Sequence, residues 1–260
     1  MKILAPLVVT AERSLRAVLH ERLPQNREVT MLASFPRSGN TWIRFIIANA
    51  IRYEIDGPEV DFNTLAGYVP DLPYHIPTKG ALASASHRLV LKTHYPYLPA
   101  YKNWPVLLVV REPAAALLSL SENLAQEHSK RIDPDKMVFG MRSGAVAWRE
   151  FHRSWLKRDP VLVNYDDLVV DAFNALQSAL PQSGILLSDK ALRFGVENSS
   201  REKMRELRLQ RGDPNARGTA FDFVRTAESD RNKVLSQRSL DYIEAICSPV
   251  FSEMRYVLAR

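Results

Sequence analysis

The run VTMLASF, residues 29–35, is β-branched and apolar and stops at the turn formers Pro36, Ser38 and Gly39; NTWIRFIIANAIRY then resumes at once as an apolar stretch with helical character. A strand, a tight turn and a helix in immediate succession constrain this chain more than any other feature. The first backbone N–H groups of such a helix have no intrahelical acceptor and point, with the positive end of the helix dipole, at whatever lies above the turn. An anion fits there. Asn40 is the expected N-cap. The spelling excludes the commonest owner of this geometry. The nucleotide triphosphatase loop reads G-x-x-x-x-G-K-[ST], whereas SFPRSGNTW has the single glycine Gly39, with Arg37 before it and no lysine after it.

The rest of the chain repeats the strand and helix alternation. RLVLK at 88–92 and PVLLVVR at 105–111 are short, nearly continuous apolar runs, as expected of parallel strands covered on both faces. EPAAALLSLSENLA predicts a helix with Pro113 in its first turn, GAVAWREFHRSWLK another, and PVLVNYDDL a fourth strand running into a helix. Residues 11–23 carry Leu15, Val18, Leu19 and Leu23 at helical spacing, which predicts an amphipathic surface helix. Residues 54–86 contain Pro58, Pro70, Pro73 and Pro77 without clear periodicity and predict irregular structure, suited to the wall of a site. With 260 residues, and no Gly/Ser-rich or Pro-rich connector, the expectation is one α/β domain over 1–260, a parallel central sheet with helices on both faces. Ligands of such sheets bind beyond the carboxyl ends of the strands.

Charge and cysteine usage narrow the partners. Lys and Arg number 35 against 29 Asp and Glu, a net charge of +6, which favours anionic ligands. A nucleic-acid binder would interleave aromatics with a basic stripe, whereas here the basic residues lie at strand ends and on helix faces, so no nucleic acid is expected. The lone Cys247 excludes an internal disulfide and a multi-cysteine metal site, fits a reducing, cytoplasmic compartment, and suits a small core position. MKILAPLVV is interrupted by Pro6, soon reaches Glu12 and Arg13, and is taken as mature sequence rather than a signal peptide. No apolar run approaches the ~18 residues of a spanning helix, so no transmembrane segment is expected.

Four strand ends carry polar or basic groups: Arg37 with Ser38, Asn40 and Thr41; Lys92 and His94 in KTHYP; Arg111 in VVREP, with Ser119 eight residues on; and Tyr165 in NYDDL. Their convergence on one crevice is the pattern of a site that neutralises an anion. Of the histidines, His20, His75, His87, His128 and His152 have no such setting, whereas His94 lies two residues after Lys92 at a strand end. Neighbouring cations would disfavour its protonated form and leave it able to take a proton from a hydroxyl nucleophile.

SFPRSGNTW, KTHYP, REPAAALLS and FVR, in this order and with the Arg111 to Ser119 spacing, resemble the loops of sulfotransferases that use 3′-phosphoadenosine 5′-phosphosulfate (PAPS), over about residues 30–245. The resemblance implies transfer of a sulfuryl group from PAPS to a hydroxyl, less readily an amine, with adenosine 3′,5′-bisphosphate as product and no metal. It implies that Arg37, at a position usually held by lysine, and Ser38, Gly39, Asn40 and Thr41 hold the 5′-phosphosulfate, and that Trp42 stacks on adenine. It further implies that Lys92 meets the 5′-phosphate and the sulfuryl group, that His94 is the general base, and that Arg111 and Ser119 bind the 3′-phosphate. Tyr165 would contact the adenine side, Ser199 would lie near the base, and Arg225 in FVR would close over the 3′-phosphate. The chain departs from the family at Arg201, where phenylalanine is frequent, and after Arg225, where TAESDRN replaces K-G-x-x-G-x-W. A guanidinium at Arg201 can still stack on adenine through its plane, and Arg211 in LQRGDP is a second candidate for the lid arginine.

Two other readings stand beside this one, a nucleotide kinase or triphosphatase of related fold and a non-catalytic nucleotide binder. The acceptor pocket is expected from segments 54–86, 123–142 and 205–221. Tyr68, Tyr74, His75, Phe139 and Met141 would suit an aromatic or lipid-like acceptor, and Asp71, Glu122, Glu127 and His128 a sugar or glycopeptide.

Overall fold

The computed structural model describes residues 28–72, 88–101, 103–127, 131–212 and 234–258. The amphipathic helix expected at 11–23, the FVR segment with Arg225, and Tyr74, His75 and His128 lie outside them. Four strands, β1 (Val29–Ser34), β2 (Leu89–Thr93), β3 (Val106–Val110) and β4 (Val161–Asn164), form one parallel sheet in the order β2-β1-β3-β4. Every residue of β1, β2 and β3 is buried, which is why their sequences are largely apolar rather than alternating.

Helices cover both faces. On one lie α1 (Asn40–Ile55), the single turn α2 (Leu65–Tyr68), α6 (Tyr165–Gln182) and α7 (Asp189–Glu197), packed on Leu32, Val90, Leu107 and Val109. On the other lie α3 (Pro113–Glu127), α4 (Pro134–Val138), α5 (Ala145–Leu156) and α9 (Gln237–Leu258), packed on Met31, Leu91, Leu108 and Val110. α8 (Arg201–Arg211) follows α7 and buries Met204 against the first of these layers. Cys247 is fully buried in the second, and burial pushes its thiol up to about 12. Among the described residues no helix is long and apolar enough to cross a membrane.

The chain runs from β1 outward to β2 and then returns to the far side of β1 to form β3, so consecutive connections diverge at the β1/β3 pair. That is the topological switch point at which open α/β sheets leave a crevice. Its walls begin at Ser34 and Val109, which are register partners.

Segment 54–86 is more ordered than its prolines suggest, as far as it is described. Asp61 accepts hydrogen bonds from the Asn63 and Thr64 amides and nucleates α2, and the Tyr68 hydroxyl donates to the Pro58 carbonyl. The chain then extends β2 by one more rung, with Lys92 N–H donating to Pro70 C=O and Leu72 N–H to Lys92 C=O, both at 2.9 Å. Proline is tolerated in this rung because it serves only as an acceptor at a sheet edge.

His152, on α5, is fully buried among Phe35, Trp148 and Phe151; its Nδ1–H donates to the Trp148 carbonyl, while Nε2 has no hydrogen-bond partner. Burial holds its pKa down at about 4, against about 6.5 when exposed, so the unfolded chain takes up a proton that the folded chain refuses. Stability contributed by neutral His152 is therefore complete above about pH 6.5 and is lost as pH falls towards 4. Chemical denaturation across this range is expected to show an acid limb to which His152 adds up to about 1.4 kcal/mol per pH unit. His152→Phe, which suits the aromatic surroundings, should make that limb shallower.

Candidate active site

The loop between β1 and α1 is built on two left-handed residues, Arg37 at φ 68° and Gly39 at φ 91°. Gly39, not Asn40, occupies the N-cap position of α1, and no side chain caps the helix. The reason is steric. A Cβ at residue 39 would stand 2.5 Å from Cδ2 of Tyr165, whose ring packs directly on the loop. Asn40 becomes the first helical residue and turns its Nδ2 to Ser34 Oγ at 3.0 Å, bracing the loop across its base. The first helical amides precede the first bond to the cap, Ile43 N–H to Gly39 C=O, so they remain the anion-facing donors of the turn. Ser38 Oγ and Trp42 Nε1 are buried without hydrogen-bond partners. Uncompensated donors of this kind suit a ligand rich in acceptor oxygens.

A cavity of about 320 Å³ opens above this loop. Arg37, Gly39, Asn40, Thr41 and Trp42 line it from the loop and α1, His94 from the end of β2, Arg111 from the end of β3, Tyr165 from α6, Asn123 from α3 and Met204 from α8. Arg111 Nη1 donates to the Arg37 carbonyl at 2.8 Å, and its guanidinium stacks 4.4 Å above the Tyr165 ring. Arg37 in turn donates from Nε to Ser119 Oγ at 3.2 Å and from Nη1 to Asn123 Oδ1 at 3.4 Å. Burial and the nearby Arg111 lower the Arg37 pKa to about 10, which still leaves the guanidinium charged at neutral pH.

His94 is fixed from two sides. Its Nδ1 lies 2.8 Å from the Ser34 carbonyl, which can only accept, so Nδ1 carries the proton and Nε2 the lone pair. The chain beyond it is tied to α5, where Trp155 Nε1–H donates to the Tyr95 carbonyl and Ser154 Oγ accepts from the Tyr97 amide. Burial first, then the charge of Lys92, lowers the His94 pKa to about 3; Arg44 and Arg37 act in the same direction. The imidazole is therefore neutral throughout the ordinary pH range.

Lys92 is buried beside the cavity rather than in its lining, and its Nζ donates to Asp71 Oδ2 at 2.7 Å. Arg44, reaching across from α1, approaches the same oxygen at 3.9 Å while Nε and Nη2 donate to the Val69 carbonyl. Burial lowers the Lys92 pKa and Asp71 opposes that shift.

Ser199 and Arg201 do not line the cavity: Ser199 is fully buried and accepts from Asn49 Nδ2 at 3.1 Å, and Arg201 begins α8 half-buried. Met204, one turn further along α8, reaches the cavity instead. Arg211 is held by Glu59 and Asp61. Of the residues weighed for the acceptor pocket, Tyr68 is buried at the end of α2, Phe139 packs on Tyr242 beneath Arg238, and Met141 is 76% exposed.

Sequence reasoning missed Asn123, Arg44, Asp71 as the partner of Lys92, and Met204. Asn123 follows Ser119 by four residues, a spacing that puts both on one helix face and could have found it. The lone arginine inside the apolar IRFII run was the available signal for Arg44.

Residues 27–253 match the sulfotransferase domain family. The chain belongs to that family. It is 26% identical over 220 residues to a WSCD family member from Aedes aegypti, a match covering 80% of this chain and 67% of that protein. It is 24% identical over 200 residues to a WSCD family member from Drosophila melanogaster, covering 72% and 60% respectively. The fold is similar to that of mouse sulfotransferase SULT7A1 complexed with PAP, with a TM-score of 0.59, 14% identity, and coverage of 87% of this chain and 84% of that one. It is likewise similar to retinol dehydratase in complex with retinol and PAP, with a TM-score of 0.63, 14% identity, and coverage of 92% and 85%. The sulfotransferase domain thus accounts for the strand, loop and helix at the switch point.

Gly39→Ala places a methyl group into the Tyr165 ring on a left-handed backbone. It is expected to cost about 1–3 kcal/mol in chemical denaturation. It should also displace Tyr165 from Arg111, visible as a change in tyrosine near-UV circular dichroism.

Proposed function

We propose that the protein transfers a sulfuryl group from PAPS to a hydroxyl of a small-molecule acceptor, and that residues 1–260 serve as one sulfotransferase unit. The observation that carries this reading is the meeting of Arg37, Arg111, the uncapped N-terminus of α1 and a neutral His94 around one cavity. PAP, adenosine 3′,5′-bisphosphate, is present in the similar structures, which supports PAPS as donor. Retinol, in the retinol dehydratase structure above, and androsterone, in a second similar structure of retinol dehydratase, support a small hydroxyl compound as acceptor over a glycan or glycopeptide. The buried, lone Cys247 is compatible with action in the reducing cytoplasm.

PAPS supplies an activated sulfuryl group on a phosphate leaving group. The chain supplies a fixed base and fixed positive charge. His94 Nε2, the unprotonated ring nitrogen, accepts the hydroxyl proton as the acceptor oxygen bonds to sulfur and the bond from sulfur to the 5′-phosphate oxygen breaks. The first amides of α1, with Ser38 and Thr41, hold phosphate oxygens. Lys92, released from Asp71, offsets the charge that grows on the leaving oxygen. Trp42 and Tyr165 flank the nucleoside, and Arg111 with Ser119 holds the 3′-phosphate. These cations offset the charge without a metal ion. Ser199 and Arg201 are not assigned a direct contact, and Arg225 is assigned the lid over the 3′-phosphate from the sequence resemblance alone.

Calorimetric titration with adenosine 3′,5′-bisphosphate, in chelator, should show binding that exceeds that of 5′-AMP and ATP and weakens on Arg111→Ala. A requirement for magnesium and a preference for ATP would sink the proposal. With an accepted hydroxyl compound, His94→Gln should lower kcat by about 100-fold or more while leaving bisphosphate binding within about threefold. Because the His94 pKa is depressed to about 3, the base is in its active neutral form above that value and loses activity only as pH falls towards it. kcat/KM, which reports the free enzyme, should therefore stay flat from about pH 8 down to about pH 5, where an unperturbed histidine would already have cost more than tenfold.

A further inference from the structure

Asn123 had no place in the family resemblance, yet the structure gives it a defined orientation at the cavity wall. It lies one turn beyond Ser119 on α3, and Arg37 spans the two, with Nε on Ser119 Oγ and Nη1 on Asn123 Oδ1. A guanidinium has only donors, so the atom it meets on Asn123 must be the carbonyl oxygen. The amide NH2 is thereby turned away from Arg37, and Asn123 contributes to the cavity lining. An amide with its acceptor already engaged offers its remaining polarity as two donors. Beside a hydroxyl and two guanidinium groups, such donors match a phosphomonoester, whose oxygens accept from several directions at once.

The loop supports the same arrangement from the other side. The Arg37 carbonyl receives Arg111 Nη1, so one residue joins both guanidinium groups to α3. Its left-handed backbone, φ 68°, costs free energy that a residue without such contacts would not hold.

We propose that Asn123, oriented by Arg37, is a specificity residue for the donor nucleotide: with Ser119 and Arg111 it recognises the 3′-phosphate, and Arg37 serves that phosphate rather than the sulfuryl group in transfer. The inference rests on the donor reading above. It explains how an arginine replaces the usual lysine of the loop, because a lysine has no fork with which to bridge Ser119 and Asn123.

The test is calorimetric titration of the full chain with adenosine 3′,5′-bisphosphate and, separately, 5′-AMP, for the unsubstituted protein and for Asn123→Ala, Asn123→Asp and Arg37→Lys. Asn123→Asp should weaken the bisphosphate about tenfold or more and 5′-AMP by less than about twofold. Asn123→Ala and Arg37→Lys should reduce the preference for the bisphosphate in the same direction. The ratio of the two affinities is the readout, since a general loss of folding lowers both together. An unchanged ratio in all three variants, or equal losses for both nucleotides, overturns the role of Asn123 and Arg37 while leaving the donor reading standing. No preference for the bisphosphate in the unsubstituted protein overturns the donor reading, and this inference with it.

Discussion

The contact on which the site depends is the Tyr165 ring against the glycine of the first loop. Tyr165 begins α6 at the end of β4, at the edge of the sheet, while Gly39 closes the loop after β1, near its centre. The ring leaves no room for a Cβ at residue 39, and the backbone there is left-handed. The α1 N-terminus is therefore uncapped by any side chain, and its amides stay available. Arg111 stacks on the same ring and reaches the Arg37 carbonyl. One aromatic ring thus couples the ends of β1, β3 and β4, and the cavity forms where the sheet topology already predicts a crevice.

The protonation state of His94 follows from the same framework. A strand end delivers Ser34, whose carbonyl takes the Nδ1 proton, and the sheet register holds β1 and β2 parallel up to Ala33 and Thr93. The tautomer is a consequence of backbone geometry rather than of a partner carboxylate. Burial, and then the charge of Lys92, keep the ring neutral, so in the proposed reaction the cations that would attract an anionic donor would also help prepare the base. A carboxylate behind His94 would have raised its pKa and worked against this.

Much of this was legible in the sequence, and the remainder has a physical explanation. The four strands were visible because parallel strands covered on both faces have an unbroken apolar signature, as VLLVV shows, and α1, α3, α5 and α6 were read beside them, whereas α4, α7, α8 and α9 were not. Gly39, Arg37, His94 and Arg111 were visible because each sits within five residues of a strand end. Asn40 was assigned to the wrong cap position, since propensity favours asparagine at the N-cap and only the distant Tyr165 enforces glycine. Asp71, as the partner of Lys92, and Arg44, which shares that carboxylate, were not visible because they come from 21 residues away along the chain and from the interior of an apolar helix. Long-range pairing of this kind leaves no local period to detect.

The Arg44, Asp71 and Lys92 cluster leaves an excess of positive charge beside the crevice. Two cations share one carboxylate, and all three groups are largely removed from water. Burying two charges of one sign is costly unless both are compensated, and Asp71 can fully compensate only one. Asp71 Oδ1 has no hydrogen-bond partner and Oδ2 bonds directly to Lys92, so the carboxylate leans towards the lysine and leaves Arg44 at 3.9 Å. The balance is one that an incoming anion can tip. If Lys92 turns to a phosphate oxygen, Arg44 remains in place to hold Asp71, so the carboxylate is never left unpaired. A lysine without such a relief partner would have to choose between stranding a buried carboxylate and ignoring its ligand. The second arginine removes that conflict, which gives a physical reason for a charged residue in the middle of an otherwise apolar helix.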